Sequence, residues 1–125
     1  MLRYIMLFLT LSLCGHASAH QWTPTYPVLQ RSFVPNVWYT TLELFNSRRD
    51  VEFYQISVLD KDMNSIPFAT RERIIKVPYT KKMKVDVYIR DEDKDRAVYV
   101  CSLSKLLPTK EAVTIVSSRI CSKIK

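Results

Sequence analysis

From residue 28 onward, apolar and polar positions alternate in short runs broken by polar turns, the period-two signature of half-buried β-strands. The pattern predicts a first strand over 28–33, at a sheet edge because Pro27 and Pro35 flank it and proline cannot donate to a ladder. Residues 37–46 follow, rich in β-branched and aromatic side chains. Trp38, Thr40, Leu42 and Leu44 share one face there; Val37, Tyr39, Thr41, Glu43 and Phe45 share the other. After a polar turn at 46–50, the strand 51–60 places Tyr54, Ile56 and Val58 inward. Residues 61–65 turn the chain again. Shorter strands are predicted at 66–68, on an edge, and at 73–77. In 83–90, Val85, Val87 and Ile89 alternate with Lys84, Asp86 and Tyr88, one face in and one face out. A charged turn at 91–95 leads to strands at 97–103 and 112–120. Residues 23–26, with Pro24, read as loose chain.

Seven or so strands at roughly ten-residue spacing, with no helical period kept for more than two turns, predict an all-β fold. The count and spacing are those of an immunoglobulin-like seven-stranded antiparallel β-sandwich. A small closed barrel is the structural alternative.

The first residues follow a different pattern. Arg3 precedes the apolar run Ile-Met-Leu-Phe-Leu-Thr-Leu-Ser-Leu at 5–13, and Ala17-Ser18-Ala19 then offers small residues at both recognition positions of a signal peptidase. The run is too short to cross a bilayer core of roughly 30 Å as a helix. Residues 1–19 are therefore expected to be a cleaved signal peptide, and 20–125 a single domain of the periplasm or extracellular medium with no stable membrane insertion. A lipoprotein site at Cys14 and an N-terminal core helix are the alternatives; Leu13 is bulky for the first, and Ala-Ser-Ala is unexplained by the second.

Cleavage changes the chemistry left in the chain. Of three cysteines, Cys101 and Cys121 remain, and an even pair in an oxidising compartment reads as a disulfide. Its loop would contribute on the order of 3 kcal/mol; two separate buried thiols are the alternative. The bridge would tie the C-terminal tail to the sheet rather than join the two sheets. The lone glycine, Gly15, also leaves, so glycine-rich phosphate loops are excluded and turns needing positive φ are expected to use Asn or Asp. Losing Arg3 takes the 19 Lys and Arg to 18 against 12 Asp and Glu, a net +6. The densest basic spots are Arg48-Arg49, Lys81-Lys82-Lys84 and Lys123-Lys125. An exported chain of this charge suits an acidic partner better than nucleic acid, and a solvated basic face with no partner is the plainer alternative.

Catalysis finds little support. His16 leaves with the signal, so His20 is the one histidine and is expected at a frayed new N-terminus, a poor base for a Ser-His-Asp or Cys-His device. An N-terminal copper chelate at His20 would need a further imidazole. Asp91, Glu92, Asp93 and Asp95 have calcium-like spacing, yet lack the turn glycine and carry Lys94 and Arg96 among them. No cofactor or metal is expected, and the chain reads as a binder rather than an enzyme.

The stretch 37–60 resembles the N-terminal domain of periplasmic pilus-assembly (fimbrial) chaperones. A strand ends in Asn46, a polar turn follows, and the next strand carries Tyr54 and Gln55 before its apolar end; Ile-Ile-Lys-Val-Pro at 74–78, a basic strand to Arg90 and Ala-Val-Tyr-Val at 97–100 keep the later order. The resemblance covers about residues 26–117. It implies a noncatalytic chaperone that binds another exported protein, a pilus or secretion-system subunit, by β-strand pairing. The pairing residues it implies are Val113, Ile115 and Ser117, with Arg31 and either Arg119 or Lys110 anchoring the subunit's carboxylate. The family has two domains and this chain has one, the last apolar run is short, and a cysteine would pin the strand. The alternative function is a structural accessory subunit or inhibitor of the cell envelope that docks through its basic surface.

Overall fold

The structure, a computed structural model, describes residues 19–105 and 117–125. Its elements run in the order β1 (Gln21–Thr23), β2 (Gln30–Arg31), β3 (Val37–Phe45), β4 (Phe53–Leu59), β5 (Ile74–Lys76), β6 (Lys82–Arg90), α1 (Asp91–Lys94), β7 (Tyr99–Lys105) and β8 (Arg119–Lys123). They form two antiparallel sheets. In the first, β3 pairs with β6 along its whole length, while β1 and β2 occupy its other edge in succession, opposite Glu43–Phe45 and Trp38–Tyr39 respectively. The second has the order β5-β4-β7-β8.

The alternation read from the sequence is what closes the two sheets on each other. Thr40, Leu42 and Leu44 of β3 and Val85, Val87 and Ile89 of β6 are buried from one side; Tyr54, Ile56 and Val58 of β4 and Val100 of β7 are buried from the other. One apolar cluster joins both sheets. Each such aliphatic side chain, taken fully out of water, contributes about 1.5–3 kcal/mol.

Several local expectations are corrected. Of the stretch 23–26 expected to be loose, Thr23 closes β1 and Thr25 is bonded to β8; β1, which the pattern did not predict, buries Trp22, whose indole N–H donates to the Val100 carbonyl across the core at 3.0 Å. The strand expected over 28–33 shrinks to Gln30–Arg31, because residues 25–27 have turned to the other sheet. There the Lys123 and Lys125 amides donate to the Thr25 and Pro27 carbonyls at 3.0 and 2.9 Å. Residues 66–68 make no strand; Ile66 is held by one backbone bond to Val58 and buried. Positive φ falls on Asn36, Met63 and Thr80, so only one of the three follows the Asn/Asp expectation. The 91–95 turn is a single helical turn with Asp93 buried under Arg90 and Arg96. These two guanidiniums, Arg96 foremost, hold the Asp93 carboxyl below its ordinary range.

Candidate functional site

The turn between β3 and β4 begins at Asn46, a polar residue that closes a strand because its side chain can replace backbone partners. It is fully buried. Its amide nitrogen donates to the Val51 and Val77 carbonyls at 2.7 and 2.8 Å. Its Oδ1 accepts from the Arg48 amide at 2.9 Å and the Tyr54 hydroxyl at 2.5 Å. Donors and acceptor of the amide are thus all used. Two residues singled out by the chaperone resemblance, Asn46 and Tyr54, are joined directly; Gln55 is half-buried on the same strand.

Arg48 turns inward from that turn. Its guanidinium grips Asp50 bidentately, at 3.0 and 2.7 Å, and reaches Ser104 on β7 and Ser118 at 3.4 Å each. Hydrogen bonding to Asp50 raises its already high pKa, so it stays charged. Ser118 in turn donates its amide to Ser104 Oγ at 2.7 Å, and Ser117 Oγ contacts the Ser104 carbonyl. The network therefore clamps the β3–β4 turn onto the chain leading into β8.

His20 completes it, and here the sequence expectation fails. Far from frayed, His20 is 2% exposed. Its Nε2 lies 2.7 Å from Ser102 Oγ, its Nδ1 3.3 Å from Ser118 Oγ, and its ring packs on Tyr54 with centroids 4.6 Å apart. The Ser47 hydroxyl donates to the Ala19 carbonyl just before it. Burial pushes the His20 pKa down to about 4, a Ser102 hydrogen bond opposing and the Arg48 charge assisting. Burial likewise pushes Tyr54 up to about 12. A serine and a histidine in hydrogen-bond contact are the start of a nucleophile–base pair. Here the serine is fully buried and Nδ1 faces another hydroxyl, Ser118 Oγ. Among the described residues, no group of three or more His, Cys, Asp or Glu side chains is placed to hold a metal ion.

Cys101 and Cys121 are bonded. They sit directly opposite each other on β7 and β8, so the bridge lies within one sheet and ties the C-terminal strand to it. Of the remaining residues implied by the resemblance, Val113, Ile115 and Lys110 lie outside the described residues. Ser117 is exposed, beside the buried network. Arg31 and Arg119 are both exposed, but the structure does not bring them together. Arg31 faces Trp38 at the start of β3, its guanidinium 5.3 Å from the indole centroid. Arg119 faces Leu103 toward the far end of the sandwich, where β4 begins.

The backbone around β8 is more telling. Ser118, Ile120 and Ser122 face β7, since Ser104 donates to the Ser118 carbonyl and the ladder alternates from there. Arg119, Cys121 and Lys123 then direct their amides and carbonyls outward. Residue 123 is engaged by Thr25, whereas among the described residues no backbone bond outside the β7 ladder engages Arg119 or Cys121. The site is therefore the edge of one β-sheet backed by a buried polar clamp. No family model matches the chain, and no curated protein matches it.

Proposed function

We propose that this chain is an exported, noncatalytic protein-binding domain of immunoglobulin-like type. It acts as a periplasmic chaperone-like factor that pairs the outer edge of β8 with a strand of a pilus or secretion-structure subunit. The observation that carries this reading is the outward backbone of Arg119 and Cys121, which makes no hydrogen bond among the described residues although β1 packs nearby, next to the exposed Ser117. An unpaired edge is a template for another strand. The disulfide keeps β8 on β7, so the partner adds to the edge and β8 itself stays in place. The Arg48–Ser118 and Ser104–Ser118 contacts hold the entry to that edge in one position. A disulfide is at home in the oxidising compartment the reading requires.

Arg119→Pro removes an outward amide without taking a bond from the β7 ladder. The variant should fold and form its disulfide, yet fail to retain a subunit in pull-downs from periplasmic extract. Equal retention by the variant would count against strand pairing at β8. Permanent residence in the assembled particle, with no released complex, would favour the accessory-subunit reading.

A further inference from the structure

The opposite side of the sandwich carries a second open edge. On β6, Tyr88 exchanges backbone bonds with Ala69, at 2.9 and 2.8 Å, and the Asp86 carbonyl accepts from Thr70 Oγ1 at 2.8 Å. On its other side, the Asp91 amide binds Asn36 and the Lys81 carbonyl accepts from Asn46, just beyond the two ends of the β3–β6 ladder. Odd-numbered residues of β6 therefore face β3, and even-numbered ones direct their amides and carbonyls outward. The chain itself covers only half of that outward edge. After Thr70 it crosses to the other sheet, where Ile74 to Lys76 pair with β4. Lys82 and Lys84 are left with outward backbone groups that no described residue engages.

Where the chain crosses over, a groove of about 570 Å³ opens between the sheets. Ile75, Met83 and Val85 give it an apolar floor, and Met83 is 38% exposed. Lys82 and Lys84 alternate with Met83 along the same exposed end of β6, and Lys84 lines the rim of the groove. Lys84 makes no ion pair among the described residues, and Lys82 reaches Glu43 only at 4.0 Å. Arg71, Glu72 and Asp86 also line the groove, Asp86 already holding the Thr41 hydroxyl at 2.6 Å.

We propose that the Lys82–Lys84 edge of β6 accepts an extended strand of a partner protein in which acidic and apolar residues alternate. Successive side chains of an added strand point to opposite faces. Its apolar set enters the groove over Ile75, Met83 and Val85, and its acidic set meets Lys82 and Lys84. Ala69 and Thr70 show in the same molecule that this edge takes an extended segment, and the partner continues the row where Thr70 leaves it. This site is independent of the reading placed on β8.

The probe is an end-blocked peptide of alternating glutamate and valine, added to the oxidised protein. Binding should slow hydrogen exchange at the Lys82 and Lys84 amides. A lysine–valine peptide should not bind. Lys84→Pro removes one outward amide and no β3 bond, and should weaken binding about tenfold or more. The double reversal Lys82→Glu with Lys84→Glu should lose the glutamate peptide and gain the lysine one. Arg119→Pro should leave both results unchanged. The proposal is overturned if the native protein ignores the peptide, if Lys84→Pro binds as well as native, or if protection appears on β8 instead.

Discussion

Asn46 ties the β3–β4 turn to two other parts of the chain. Four hydrogen bonds converge on its side chain while its backbone bonds Thr80 and Lys81. Removing the amide orphans two buried carbonyls and a tyrosine hydroxyl at once, and an unsatisfied buried group costs about 1–3 kcal/mol. Asn46→Ala should therefore lower unfolding free energy by about 3 kcal/mol in urea titration; a loss below about 1 kcal/mol would contradict the network. His20 makes a pH-dependent counterpart. Its folded pKa, about 4, lies below the ordinary 6.5, so the unfolded chain takes up the proton first. Stability should be full above pH 6.5, fall as pH drops from 6.5 to 4, and stop falling on this account below that. His20→Leu should flatten that slope in denaturation curves taken across the window. Neither residue is legible as buried from the sequence. Polar side chains beside a turn or behind a cleavage site read as solvated, and only their contacts across 31 and 82 residues show otherwise.

At the scale of elements, the long strands were readable and the short ones were not. β3, β4, β6 and β7 each run seven residues or more, enough for period two to declare the buried face. β1 and β2 have three and two residues, too few for any period, and Trp22 alone signals that β1 has an inner face. Of the strand expected over 112–120, residues 112–116 lie outside the described residues; the serines at 117 and 118 are engaged by Ser104, and β8 runs from Arg119. The cysteine pair was legible from its count, and its place within one sheet followed from where the two strands fell. Replacing Cys101 and Cys121 by serine should cost about 3 kcal/mol by the loop-entropy model, with midpoint urea shifted down. An unchanged midpoint in the reduced or serine protein would mean that β8 is held by its ladder alone.

For the molecule as a whole, the segment from β1 to β2 acts as a closing strap. It pairs with β3 through β1, passes to β8 through Thr25 and Pro27, and returns to β3 through β2. A chain beginning at Pro24 loses both His20 and Trp22, and removing a buried tryptophan side chain costs about 3–5 kcal/mol. Such a truncation should melt far below the native protein in calorimetry, and a matching melting point would show that the strap is dispensable. The Cys101–Cys121 bridge has a mechanical meaning as well. A pull on the C-terminus can peel only residues 122–125 before the tension passes through the sulfurs to β7, in the middle of its sheet. The 20-residue separation between the cysteines is then hidden length, about 70 Å of contour that stretching cannot release while the bond stands. A domain gripped at β8 would thus transmit force to a partner instead of unravelling under it.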